Sequence, residues 1–105
     1  MITINGISWR IKFVHPLDPV LMYEDGSSYT LGMCNRENKT IYLAENLEGS
    51  MLRKVLCHEI VHAAMFSYSV HLSIEQEEII ADIIATYGSE IINVTNKVFK
   101  KLQQL

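Results

Sequence analysis

The chain has 105 residues, 49% of them hydrophobic and 20% charged, which fits one globular domain with one core and leaves no room for a second. The formal net charge is −3, and the nine lysines and arginines form no basic patch, so a nucleic-acid partner is not expected. No apolar run approaches the length of a membrane span, and the first residues lack the features of a secretory signal. We therefore expect a cytoplasmic protein with no membrane partner.

Residues 1–45 carry the alternating apolar pattern that is typical of short β-strands. The Asn5-Gly6 pair predicts a tight hairpin between two apolar runs. A polar loop over 35–39 predicts a second hairpin, which joins strands at 29–34 and 40–44. These signals predict a small antiparallel sheet at the N-terminal end.

The rest of the chain has helical periodicity. Apolar residues over 47–68 recur at helical spacing and predict the first helix. Ser73 and Gln76 have the spacing of a capping box, which predicts a second helix over 73–104, and Gly88 predicts a kink within it. The expected fold class is α+β, a single domain over 1–105 in which the sheet precedes two helices.

The first predicted helix contains the pattern His-Glu-x-x-His at His58, Glu59 and His62. Residues four apart share a helix face, so the two imidazoles can ligate one zinc ion. Zinc lowers the pKa of water toward neutrality, and Glu59 can take the proton to generate the nucleophile. The alternative is a pair of ordinary, partly buried histidines, but polar residues stand where the apolar stripe of such a helix would run.

A catalytic zinc ion needs a third protein ligand, and the start of the second helix offers Glu75, Glu77 and Glu78. Glu78 is preferred because it shares a helix face with Asp82, which can orient a histidine by accepting its second ring proton. Glu75 shares the face of Glu78 and is the fallback ligand. Neither Glu75 nor Glu77 has an acidic partner four residues later.

Further side chains near the motif carry weaker signals. The metzincin pattern requires a histidine six residues after the second histidine of the motif, where this chain has Tyr68, so that class is excluded. Tyr68 and Tyr87 can donate a hydrogen bond to a tetrahedral intermediate, although core tyrosines are commoner. His71 can hold substrate, although an exposed loop histidine is the commoner interpretation.

These residues resemble the gluzincin group of zincin metallopeptidases, and most closely the small ImmA/IrrE-like metallopeptidases and single-domain minigluzincins associated with phages and mobile elements. The likeness covers the strand at 39–43, the motif helix, and 78–82, which stands at the family's Glu-x-x-Ala-Asn/Asp segment. It implies a minimal zincin-like fold whose Zn²⁺ ligands are His58, His62 and Glu78.

By the same resemblance Glu59 would be the catalytic base. The strand Ile41 to Ala44 would line the cleft and pair with an extended peptide or protein substrate, a mode of recognition that sheet edges allow.

Three functional hypotheses follow from the sequence. The first is peptide-bond hydrolysis, in which zinc polarises the carbonyl and Glu59 passes a proton from water to the leaving amine. The second is a zinc-binding regulatory or interaction module of phage or mobile-element origin with little or no turnover. The third is hydrolysis of another bond, such as a phosphodiester, which the lack of a basic surface disfavours.

Overall fold

A computed structural model describes all 105 residues as an α+β fold, with a four-stranded sheet followed by two helices, as the sequence predicts. A 3-10 turn at Pro19–Leu21 interrupts the long connection between the second and third strands. In chain order, the elements are β1 (Ile2–Ile4), β2 (Ile7–Val14), β3 (Gly32–Asn35), β4 (Thr40–Ala44), α1 (Gly49–Ser67) and α2 (Ile74–Leu102).

The sheet has the strand order β1-β2-β4-β3 and is mixed. Both predicted hairpins form, and Asn5 and Gly6 take the positive φ values, 47° and 77°, that a tight turn between β1 and β2 requires. The central pair β2 and β4 runs parallel, from Arg10↔Thr40 to Val14↔Ala44. The prediction of a purely antiparallel sheet is wrong here, because turn signals specify only the pairing of consecutive strands and not this long-range pair.

Strand β4 lies inside the sheet, paired with β2 on one side and β3 on the other. Ile41 to Ala44 therefore offer no free edge, and the prediction that this strand pairs with a substrate has to be corrected. The edge strand beside α1 is β3, which pairs only with β4. A peptide that extends the sheet on this side has to pair with Gly32–Asn35 instead.

The main core lies between one face of the sheet and α1. Trp9, Ile41, Leu43 and Ala63 are completely buried there. The indole Nε1 of Trp9 donates a hydrogen bond to Ser67 Oγ at 2.9 Å, which satisfies the one polar atom of the ring. This bond joins the second strand to the last turn of α1 and sets how α1 lies on the sheet.

Helix α2 begins where the sequence predicts and continues without a break. Ser73 Oγ accepts from Gln76 N, and Gln76 Oε1 accepts from Ser73 N, both at 3.2 Å, so the capping box forms. The kink predicted at Gly88 does not divide α2, because Gly88 lies inside one uninterrupted helix. A glycine costs about 1 kcal/mol of helix stability but keeps its backbone donor, so the helix can continue through it.

The two helices pack against each other along a short stretch. On α2 the buried residues are Glu77, Ala81 and Ala85, which recur every four residues. Small side chains at this spacing let the helices approach closely. Neither helix has a stretch both long enough and apolar enough to traverse a membrane.

The Trp9–Ser67 bond predicts a specific loss of stability. Ser67→Ala leaves the buried Trp9 Nε1 without an acceptor, so the free energy of unfolding should fall by about 1–3 kcal/mol. Ser8→Ala, at an exposed position of β2, is the matched control and should change it little. Urea unfolding followed by tryptophan fluorescence measures both, and equal effects of the two substitutions would contradict this role for Ser67.

Candidate metal centre

The His-Glu-x-x-His motif lies in the middle of α1 and faces the first turns of α2. His58 and His62 stand one helical turn apart, with their Nε2 atoms 3.1 Å from each other. Glu78 Oε2 lies 3.1 Å from His58 Nε2, and Glu78 Oε1 lies 2.7 Å from His62 Nε2. Each of these three side chains brings a ligand atom within 4.8 Å of the other two, so together they can hold a metal ion. We call His58, His62 and Glu78 the metal group.

The spacing and chemistry of these atoms fit a bound cation. Zinc bonds of about 2.0–2.1 Å in a tetrahedral site place neighbouring ligand atoms about 3.3 Å apart. The ligand atoms here, which include both oxygens of Glu78, lie 2.7–3.1 Å apart and would have to separate slightly to hold the ion. When each ring is protonated at Nδ1, both Nε2 atoms present lone pairs, and the Glu78 carboxylate adds more. Lone pairs at such distances repel each other unless a cation or protons lie among them.

A carboxylate stands at the second ring nitrogen of each histidine. Asp82 Oδ1 lies 3.0 Å from His58 Nδ1, the position predicted for Asp82. Glu77 Oε1 lies 2.6 Å from His62 Nδ1, within a hydrogen bond. A carboxylate at Nδ1 holds the proton there, fixes the orientation of the ring, and leaves Nε2 free to ligate.

The position of Glu77 departs from the sequence interpretation, which considered it only as another candidate ligand. Its carboxylate is buried, faces the nitrogen of His62 that points away from Glu78, and is ion-paired with Arg36. Burial alone would raise the pKa of Glu77, but hydrogen bonds from His62 and Arg36, together with the charge of Arg36, hold the pKa below its usual value. Glu77 therefore stays ionised and can accept the ring proton of His62.

A sequence signal for this role of Glu77 does exist. Glu77 stands four and eight residues before Ala81 and Ala85, the small residues that face α1. A carboxylate on that stripe has to be buried and therefore needs a partner on the opposing surface. Arg36 carries no comparable signal, because the β3–β4 loop that presents it lies far away in sequence.

Glu59 lies on the inner side of α1 and is 6% exposed. Desolvation by burial, opposed by the nearby His58 and reinforced by the charge of Glu78, raises the pKa of Glu59 to about 7. Its side chain fits because residue 32 is glycine: a Cβ there would lie 2.8 Å from Val55 Cγ1 and 3.1 Å from Glu59 Oε2. The edge strand β3 therefore forms part of the enclosure of Glu59.

An open cleft of about 620 Å³ leads to the metal group. One wall is β3, and the opposite wall is the start of α2, where Ile74 is 79% exposed. Cys34 also lines the cleft, but burial and the charge of Glu59 raise the pKa of its thiol to about 12. It therefore stays protonated and is poorly suited to ligate a metal.

The other residues considered from the sequence lie outside the metal group. Glu75, the fallback ligand, is exposed in the first turn of α2. His71, Tyr68 and Tyr87 are also exposed, and none of them lines the cleft. Among the residues that the sequence singles out, the structure brings together six: His58, Glu59, His62, Glu77, Glu78 and Asp82.

No protein-family model, no curated protein and no solved structure matches the chain. The resemblance to the gluzincins therefore stays a prediction from the sequence. The fold does place the side chains of the His-Glu-x-x-His motif, Glu78 and Asp82 close together.

The hydrogen bond between Glu77 and His62 predicts a loss of metal affinity on substitution. Glu77→Gln removes the charge that holds the ring proton, so the dissociation constant for Zn²⁺ should rise about tenfold or more. Glu75→Gln makes the same chemical change at an exposed neighbouring position and should leave the affinity unchanged. Competition with a chromophoric chelator measures both constants, and equal values for the two variants would contradict an orienting role for Glu77.

The raised pKa of Glu59 predicts how the stability of the metal-free protein depends on pH. The pKa rises from an ordinary value of 4.5 to about 7 in the folded state, so folding favours the protonated form. The wild type should then lose stability as pH rises from about 4.5 to about 7 and stay at the lower level above that. Glu59→Gln cannot ionise, so this contribution should be absent from the variant.

Urea unfolding in the presence of a chelator tests this dependence. At about pH 8 the Glu59→Gln variant should exceed the wild type by up to about 3 kcal/mol, and the difference should shrink toward about pH 5. A difference that does not change with pH would show that the buried carboxyl is not the cause.

Proposed function

We propose that the protein is a zinc-dependent peptidase of the gluzincin kind, with Zn²⁺ held by His58, His62 and Glu78. The observation that carries the proposal is the convergence of two Nε2 atoms and one carboxylate next to the buried carboxyl of Glu59. Two histidines and one glutamate form a ligand set typical of catalytic zinc, which needs a fourth position for water or substrate.

When bound, zinc supplies Lewis acidity, which lowers the pKa of water and polarises a substrate carbonyl. The Glu59 carboxylate takes a proton from the attacking water as the bond between water oxygen and carbonyl carbon forms. Glu59 then gives this proton to the amide nitrogen as the C–N bond breaks. Carboxylates of Asp82 and Glu77 stand at Nδ1 of His58 and His62 and favour the tautomers that would leave both Nε2 atoms free to hold the ion.

The free edge of β3 is the best place for an extended substrate. Gly32, Met33 and Cys34 line the cleft beside Glu59, and β3 pairs only with β4. A peptide strand added there gains main-chain hydrogen bonds without requiring a particular sequence. The exposed Ile74 on the opposite wall offers an apolar contact for one of its side chains.

A second candidate is a zinc-binding interaction module with no turnover, of phage or mobile-element origin. It is favoured by the apolar residues that α2 exposes beyond the metal group, a surface that hydrolysis does not require. This candidate shares the metal ligands with the first but assigns Glu59 no chemical role.

Substitution of Glu59 separates the two candidates. Glu59→Gln keeps the shape of the side chain but cannot take a proton, so peptide cleavage should fall at least about a hundredfold while zinc remains bound. His62→Ala should lose both zinc and cleavage, and Glu75→Gln should retain both. Elemental analysis gives zinc per chain, and mass spectrometry of a digested peptide mixture gives cleavage.

Each outcome decides between the candidates. Full cleavage by Glu59→Gln would refute the proposed mechanism. Stoichiometric zinc in a wild type that cleaves no peptide would favour the interaction module. A wild type that binds no zinc when the ion is supplied would overturn both.

A further inference from the structure

In the second half of α2, Ser89 accepts a hydrogen bond from Arg53 of α1, but no residue is buried against the rest of the molecule. Every residue from Ser89 onward is exposed, and the molecule measures 56 Å along its longest axis against 30 and 27 Å along the others. An isolated helix of this length is marginal in water and gains stability mainly by burying an apolar face. The large apolar side chains exposed here are Ile91, Ile92, Val94, Val98, Phe99 and Leu102.

The exposed apolar side chains along α2, from Ile84 to Val98, include a seven-residue repeat. Ile84, Ile91 and Val98 are spaced seven apart, and Tyr87 and Val94 follow the first two by three residues. Alternating steps of three and four form the seam of a coiled coil, and we call these five residues the seam. All five are at least 41% exposed.

The surroundings of the seam also suit burial against a helix. Thr95 lies on its flank and donates its hydroxyl to the Ile91 carbonyl at 2.8 Å, so the hydroxyl needs no further partner. Each residue turns a helix by about 100°, which places Ile91 about 180° around the axis from Asp82. A helix packed on the seam therefore leaves the metal group accessible.

Two charged residues beside the seam favour a second copy of the chain as the partner. Glu90 precedes Ile91 and Lys97 precedes Val98, so both charges lie on the same flank. If a second copy of α2 runs antiparallel with its Val94 beside Ile91, its Lys97 meets Glu90. Twofold symmetry forms this Glu90–Lys97 pair twice, so each of the two charges in each copy faces an opposite charge.

Other arrangements of the two helices do not match these charges. A shift of one heptad in one direction places Glu90 against Glu90 of the second copy, and a shift in the other direction places Lys97 against Lys97. In a parallel pair the same flank faces Thr95 and Leu102, and neither charge finds an opposite one. The charges therefore favour one antiparallel register over its neighbours.

We propose that the protein forms an antiparallel dimer through the seam of α2, with two Glu90–Lys97 pairs fixing the register. Lys101 then lies at the end of the overlap, opposite Ile84 of the second copy, where its ammonium group reaches water while its stem covers apolar surface. At about 1.5 Å per residue, this register places the two metal groups about 40 Å apart along the helix axis, open and independent.

Charge reversal and mixing test this arrangement. Glu90→Lys alone and Lys97→Glu alone each place like charges together twice, so each should weaken dimerisation about tenfold or more. In a heterodimer of the two variants, the two introduced charges meet each other, and the unchanged Lys97 of one copy meets the unchanged Glu90 of the other. An equimolar mixture should therefore recover the wild-type affinity. Lys100→Glu, which reverses a charge on the polar face, is the matched control and should dimerise like the wild type.

Sedimentation equilibrium measures the dissociation constants, and circular dichroism checks that each variant keeps its helix content. A wild type that is monomeric at concentrations up to about 100 µM would overturn the proposal. So would a dimer that neither reversal weakens, because the two charges would then not face each other. Failure of the mixed variants to recover affinity would equally exclude this register.

Discussion

The arrangement of this molecule depends on a set of ligand atoms so close together that a cation or protons must lie among them. Two imidazole nitrogens face each other at 3.1 Å, and a carboxylate closes on both of them. Asp82 and Glu77 stand at Nδ1 on the far side of each ring and favour the tautomer that carries its proton there. The fold therefore concentrates lone pairs at one point, which lowers the stability of the protein unless protons or a cation compensate the repulsion.

Several features of the fold position the ligand atoms and Glu59. The capping box at Ser73 fixes where α2 begins, and a shift of one residue would turn Glu77 and Glu78 away from the histidines by about 100°. The glycine at position 32 lets β3 approach α1 closely enough to enclose Glu59. The same edge strand thus limits the access of water to the proposed base and borders the space where a peptide can lie.

The sequence predicts those parts of the site that depend on helical geometry within one element. His58 and His62, like Glu78 and Asp82, are related by one turn of a helix, so their common face can be read directly from their spacing. The parallel pairing of β2 with β4 depends on contacts across the long connection that no local turn signal encodes. For that reason the sequence alone suggests an accessible edge for β4, whereas this strand lies inside the sheet. The ion pair of Arg36 could not be predicted for a similar reason, because its partner Glu77 lies on α2, far from Arg36 in sequence.

The contact between Arg36 and Glu77 couples the β3–β4 hairpin energetically to the metal group. Arg36 belongs to the hairpin loop, while Glu77 holds the ring of His62. A metal that favours this orientation of His62 also favours the hairpin position that keeps the ion pair intact. A peptide strand that docks on β3 and shifts the loop would change the affinity for the metal. Because coupling between two binding sites is reciprocal, the metal would change the affinity for that strand by the same factor. Occupancy of the site can thus report on occupancy of the sheet edge.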